Sequence, residues 1–344
     1  MPTIAPFSAL RFDESVAGPL ADLVAPPYDV LSDDDTYRLW HTSPNNIVHL
    51  TKPQRPDDSG RVLADWLRSG VLVEEEPAIW WLTEEYEGPD GVRRTREGIV
   101  GAIEATAYSD GKVLPHEKTN PEVKQERLEI LQGTRTQLEP VLLLYDAEPP
   151  VSRPSGDPDL EVAEAGVHCR LWKLDSDGID IDAPLLIADG HHRYETAVAY
   201  RTENPKAERT LAVLVSARDP GLQIFPTHRV VQDVGVQPFG FMTSIWDSDS
   251  LAMYRTGNFF RLETDEELDV VDIEQYELEG VEFTPDAEEA VRAVDDNMAQ
   301  IVFLVRAPSV QQVLAYATQG ETMPKKTTYF YPKLTSGLLL LPTA

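Results

Sequence analysis

The sequence predicts a mixed α/β protein, and three observations predict it. Residues 78–88 (AIWWLTEEYEG) and 92–105 (VRRTREGIVGAIEA) are rich in β-formers and flank Pro89-Asp90-Gly91, so they read as a hairpin. In residues 114–132 (LPHEKTNPEVKQERLEILQ), Val123, Leu128 and Leu131 stand among charges, the spacing of an exposed amphipathic helix that starts near Asn120-Pro121. The apolar run 184–188 passes through Asp189-Gly190 into the helical pattern HHRYETAVAYRTEN, a strand–turn–helix unit.

The remaining elements follow in chain order. Pro26 and Pro27 fix successive backbone angles and bias Ala25 away from helix, so residues 25–30 form a rigid turn that presents Tyr28 and Asp29. Ser32 ahead of three aspartates reads as a helix N-cap, and Gly70 after ADWLRS as a helix stop. Val141 to Tyr145 is a short apolar run ended by Asp146 and a double proline, which suits a buried strand. Residues 148–159, rich in Pro, Ser, Asp and Gly, read as a loop, and 210–217 (TLAVLVSA) as a strand. Beyond about residue 236 the chain is more acidic, with helices expected over 265–280 and 286–297 around a strand at 301–307. The expected organisation is an N-terminal α/β region (1–110), a nucleotide-binding core (111–235) and a C-terminal α/β region (236–344) whose basic tail returns to the site.

A chain of 344 residues has room for two or three domains. Its 42% hydrophobic and 26% charged residues are ordinary globular usage. No run approaches the roughly 18 apolar residues of a membrane span, and the N-terminus lacks a signal core, so a cytoplasmic location away from the membrane is expected. The sole cysteine, Cys169, can form neither an internal disulfide nor a cysteine-rich metal site. A formal charge of −29 repels polyanions, which disfavours nucleic acid as a partner.

The strongest chemical signal is Asp189-Gly190-His191-His192-Arg193. A strand that ends in Asp-Gly and hands directly to a helix offers backbone N–H groups and the positive end of the helix dipole to an anion. Gly190 permits close approach, His191, His192 and Arg193 add donors, and Asp189 can hold a magnesium ion or a hydroxyl. The plainer alternative makes Asp189 a helix cap with the basic residues in water. Glu117, beside His116, is a candidate general base close to that site, against the alternative of a first-turn acid that stabilises the dipole. Pro226-Thr227-His228-Arg229 is a third polar cluster, with a surface turn as its alternative. The tail 323–333 is basic and aromatic in an acidic chain, and its Lys325, Lys326 and Thr327 suit a phosphate while its aromatic faces suit a nucleobase. Walker, GxGxxG, kinase HRD/DFG and GxSxG signatures are absent, so nucleotide chemistry here needs another fold.

Taken together, APPYDV (25–30), LPHEKT (114–119), ADGHHRYETA (188–197), PTHR (226–229) and MPKKTTYFYPK (323–333) resemble the bacterial domain-of-unknown-function family 1015 nearly end to end. That family in turn resembles the ParB/sulfiredoxin superfamily, which implies a ParB/sulfiredoxin-like core. Within that superfamily the motifs are similar to those of free-serine kinases, which phosphorylate L-serine with ATP or ADP as donor. By that resemblance Glu117 takes the base role, and Asp189, His191 and Arg193 take the phosphate and metal roles with Mg2+ at Asp189. Gly190, His192, His228, Arg229, Lys325, Lys326 and Thr327 are then further nucleotide contacts, and His116, Tyr28 and Asp29 contacts to a small hydroxyl substrate. His192 is one residue more than the shorter DGH motif requires. Two rivals are a ParB-like nucleotide switch and a non-enzymatic nucleotide-binding regulator.

Overall fold

The computed structural model describes residues 1–234, 240–243, 246–264, 267–276 and 278–343. They form two compact units, Met1–Leu222 with Pro332–Ala344, and Gln223–Tyr331. The protein is mixed α/β, with helices packed on largely antiparallel sheets.

The larger unit is built on an eight-stranded sheet. Its strands in chain order are β1 (Ile79–Glu87), β2 (Arg93–Glu104), β3 (Val113–Leu114), β4 (Val141–Tyr145), β5 (Leu160–Glu164), β6 (Val167–Leu174), β7 (Leu185–Asp189) and β8 (Arg209–Ser216). Across the sheet they run β3-β7-β4-β8-β2-β1-β6-β5, with β7 parallel to β3, β8 parallel to β4, and the other neighbours antiparallel. The expected hairpin is β1–β2. The continuous apolar run 141–145 occupies an inner position, buried at every residue, as a strand covered on both faces must be. The sheet takes strands from both sides of residue 110, where a boundary was expected; the other expected boundary, after residue 235, lies outside the described residues.

Helices α1 (Asp33–Thr42), α2 (Pro56–Ser69), α3 (Pro121–Thr134) and α4 (His191–Glu203) complete this unit. Ser32 caps α1 in a reciprocal capping box with Asp35, and Gly70 ends α2 in the left-handed region at φ 77°. Helix α3 departs from the exposed helix expected of it, because it packs against both α2 and α4 and buries Arg127, Ile130, Leu131 and Thr134. The α2–α3 approach needs glycine: a Cβ at Gly60 would stand 2.5 Å from the Gly133 carbonyl oxygen. The chain returns to this unit at its C-terminal end, where Leu334 and Leu338 to Leu341 are buried and Leu341 pairs with Gln137.

Among the described residues the smaller unit has a six-stranded sheet of β9 (His228–Val234), β10 (Phe241–Thr243), β11 (Ala252–Arg255), β12 (Asn258–Arg261), β13 (Leu278–Thr284) and β14 (Ile301–Leu304), ordered β10-β12-β11-β14-β9-β13. The helix expected over 286–297 is present as α5 (Ala287–Asp295), followed by α6 (Val310–Thr318). The single helix expected over 265–280 is not formed. Its described part is a short helix, Asp269–Glu274, and then β13, because pairing with β9 outweighs the helix propensity of the Glu-rich run. Among the described residues no helix is long and apolar enough to cross a membrane.

Candidate functional site

The run Asp189-Gly190-His191-His192-Arg193 sits where β7 meets α4. Pairing of β7 with β4 slips between Ile187 and Asp189, a bulge that re-aims the last strand residue. Gly190 is the helix N-cap, held at φ 90°, and its side of the backbone faces Arg193: a Cβ there would lie 2.9 Å from Arg193 Nε. Asp189 therefore does not cap α4. Its carboxylate accepts from Arg193 Nη2 and from Lys333 Nζ, with only 10% of the Asp189 side chain and 6% of the Arg193 side chain exposed. Arg193 Nη1 donates to the Pro140 carbonyl. The alternative of a solvated helix start is thus excluded, since His191 and Arg193 are buried along with Asp189.

One carboxylate faces two cations inside this cluster. Burial alone would raise the Asp189 carboxyl, but Lys333 and Arg193 outweigh it and hold the group well below the usual carboxylate range. Burial lowers His116 to about 4, against the opposing pull of its hydrogen bond to Ile187 and of Asp189. His191 is likewise pushed well below its ordinary value by burial and by His116. Both imidazoles are neutral at pH 7.

The segment that carries Glu117 is docked onto the first turn of α4. His116 Nδ1 donates to Ile187 O at 2.7 Å, and the His116 ring meets His191 edge-on with centroids 4.6 Å apart. The backbone N–H of His116 donates to His191 Nε2 at 3.4 Å, and that of Asn120 to His192 Nε2 at 2.8 Å. Two consecutive histidines of α4 therefore hold the backbone on either side of Glu117. This differs from the donor role expected of them, because each Nε2 acts as an acceptor. Glu117 is half-buried and stands ahead of the Asn120 cap of α3, so it is not a first-turn acid of that helix. Glu195 anchors the same segment through Thr119 at 2.8 Å and Lys124 at 3.1 Å.

Of the expected substrate contacts, Tyr28 is half-buried and Asp29 exposed. The Tyr28 N–H donates to Glu139 at 3.0 Å, and Arg127 lies over its ring at 4.1 Å. Glu139 is buried, accepts from Ser336 at 2.8 Å, and is raised by burial against the pull of Arg193 and Arg127. Lys333, Glu139 and Arg127 were not among the assigned site residues. Lys333 at least stood in the basic tail cluster; Glu139 and Arg127 carry no local signal.

His228, Arg229, Lys325, Lys326 and Thr327 belong to the smaller unit. His228 and Arg229 begin β9 fully buried rather than forming the surface turn that was the alternative, and burial lowers His228 to about 4. Arg229 Nη2 donates to the Lys325 carbonyl at 3.2 Å, which brings PTHR and PKKTT together, with Lys325 and Lys326 exposed and Thr327 buried.

Asp189 does not fit the metal role in this arrangement. Both its oxygens are ion-paired, so a cation would have to displace Arg193 or Lys333, and the described residues contain no cluster of three or more His, Cys, Asp or Glu side chains able to hold a metal. Cys169 is buried, its thiol pushed up to about 12 by burial, as suits an inert core residue.

Residues 4–279 match the family described as "Protein of unknown function (DUF1015)". No curated protein matches the chain. Among solved structures, a free serine kinase in complex with AMP is similar at 16% identity and a TM-score of 0.42, over 68% of this chain and 88% of that one. SbnI with C-terminal truncation from Staphylococcus aureus is similar at 12% identity and 0.43, over 71% and 87%. A conserved hypothetical protein from Pyrococcus furiosus is similar at 16% identity and 0.38, over 67% and 90%.

Proposed function

Because the chain belongs to the DUF1015 family, whose description assigns no activity, we propose a function from the chemistry of its site. In this reading the protein is a cytoplasmic small-molecule kinase. It binds the phosphates of ATP or ADP at the start of α4 and transfers a phosphoryl group to a small hydroxyl metabolite, with free L-serine as the acceptor that the motif resemblance suggests. One observation carries the reading. The backbone N–H groups of His116 and Asn120 are hydrogen-bonded to His191 and His192, so the segment that carries Glu117 lies against the start of α4, a helix N-terminus of the kind that suits an anion.

In such a reaction the protein contributes position and electrostatics more than covalent chemistry. Glu117 would take the proton of the attacking hydroxyl, within the usual contribution of a positioned base, about 10²–10⁴-fold. The first-turn N–H groups of α4 would face the phosphates, with Lys333 as the nearby ammonium. Magnesium enters only as the counter-ion that nucleotide phosphates bring with them. Tyr28, Asp29 and His116 would face the acceptor.

A second reading, nucleotide binding without transfer, is favoured by the double ion-pairing of Asp189, which leaves that carboxylate no open oxygen. The experiment that separates the two incubates the full chain with magnesium, ATP or ADP, and a panel of hydroxyl metabolites, and looks for phosphorylated product by mass spectrometry. Product with serine supports the first reading. Nucleotide binding by calorimetry with no product from any acceptor supports the second.

A further inference from the structure

A second polar cavity lies in the larger unit, on the α3 side of Arg193. It has a volume of about 40 Å³, and Arg127, Glu139, Arg193 and Thr196 line it together with apolar residues of α3. Arg127 reaches it from α3, Arg193 and Thr196 from α4, and Glu139 from the segment before β4.

Three of these side chains carry a buried polar atom with no hydrogen-bond partner among the described residues: Arg127 Nε, Arg193 Nε and Thr196 Oγ1. The residues are 8%, 6% and 3% exposed. The other ends of both guanidinium groups are committed. Arg127 donates to the Thr51 carbonyl at 2.6 Å and to Glu126 at 2.6 Å, and Arg193 donates to Pro140 and Asp189. On each guanidinium Nε is the nitrogen left without a partner. Buried donors left without acceptors are costly, and three of them belong to residues that line one cavity. Glu139 also lines the cavity; burial raises its carboxyl against the pull of Arg193 and Arg127, and its Oε1 is taken up by Tyr28 and Ser336.

We propose that this cavity is a binding site for a small oxyanion of carboxylate size, held by the Nε–H groups of Arg127 and Arg193 and by the hydroxyl of Thr196. A volume of about 40 Å³ has room for a few waters or one small oxyanion group. Two cationic donors and a hydroxyl favour the anion over water, because hydrogen bonds between charged partners are about twice as strong as neutral ones. The cavity shares Arg193 with the strand–turn–helix site, but the proposal does not depend on phosphoryl transfer. The occupant is either the carboxylate of an organic molecule or a free inorganic oxyanion, and the test separates the two.

The test uses the full chain without nucleotide. Melting temperature is followed against sodium acetate, L-serine and inorganic phosphate, each compared with sodium chloride at equal ionic strength. The wild type is expected to gain about 2–4 °C with a saturating anion over the chloride control. Thr196→Val, which removes a hydroxyl that has no internal partner, is expected to raise the half-saturating concentration roughly tenfold. A response to acetate assigns an organic carboxylate and a response to phosphate an inorganic anion, each only where Thr196→Val weakens it; serine, the acceptor of the proposed function, counts toward this cavity under the same condition alone. A wild type indifferent to all three, or a Thr196→Val response equal to wild type, overturns the site and leaves the cavity to water. Should Thr196→Val fail to fold, wild-type protein labelled with 15N-arginine decides the matter. Acetate or phosphate should shift two buried Nε–H resonances in a saturable way, and unshifted resonances overturn the proposal.

Discussion

Lys333 forms an ion pair with Asp189 across 144 residues of sequence, so the C-terminal segment supplies the second cation on the carboxylate of the strand–turn–helix site. Their side chains are 16% and 10% exposed, and Arg193 holds the other carboxylate oxygen. Removing one member of such a group leaves buried charge poorly matched. Lys333→Met is therefore expected to lower stability by roughly 1–3 kcal/mol. Asp189→Asn is expected to cost more, because it leaves both Lys333 and Arg193 without their carboxylate, and the double variant should lose less than the sum. Urea unfolding of the two single variants and the double variant measures the coupling, and strictly additive losses would show that the pair does not interact. Truncating the tail is a poorer experiment, because Leu338 to Leu341 belong to the core.

Gly190 combines a backbone at φ 90° with direct contact to a guanidinium that is pinned by Asp189 and Pro140. Gly190→Ala is expected to destabilise the larger unit by about 1–3 kcal/mol and to weaken nucleotide binding with it. Chemical denaturation and calorimetry on the same sample check this. A variant as stable as wild type would mean the turn relaxes freely.

Glu117→Gln keeps the shape of the side chain and removes its ability to accept a proton. Turnover with the acceptor identified by mass spectrometry should fall by about 10²–10⁴-fold, with nucleotide affinity nearly unchanged. Because Glu117 lies ahead of the Asn120 cap, melting should move little. Wild-type turnover in this variant would refute the assigned base.

The depressed histidines make stability fall on acidification. His116 has a pKa of about 4 folded against an ordinary 6.5, so between those values the unfolded chain binds the additional proton. Stability is therefore full above about pH 6.5 and declines as pH drops toward 4, by up to about 1.4 kcal/mol per pH unit for one such group. His191 shifts in the same direction. Urea unfolding at pH 7, 6 and 5 should show this slope, and His116→Gln should flatten it. A slope unchanged in that variant would assign the pH dependence elsewhere.

Several elements could be read locally because local rules decide them. Ser32 and Gly70 mark helix ends through cap chemistry that needs only neighbouring residues. Pro89-Asp90-Gly91 marks the β1–β2 hairpin in the same way. The β5–β6 hairpin was missed, since its turn is Ala165-Gly166, both at positive φ, and alanine gives no warning of that conformation. The Glu-rich run after residue 265 misled because strand pairing with β9 is non-local.

The same division holds for the site. Sequence alone determined that Asp189-Gly190 closes a strand and opens a helix, since apolar periodicity and a permissive glycine are properties of adjacent residues. It also marked His116-Glu117 as lying just ahead of α3. Tertiary structure alone decided that His191 and His192 grip the backbone around Glu117, that Lys333 neutralises Asp189, and that Arg127, Arg193 and Thr196 share a cavity. Burial and charge pairing between residues tens to hundreds of positions apart depend on how the helices and the C-terminal segment pack, and no local pattern encodes that.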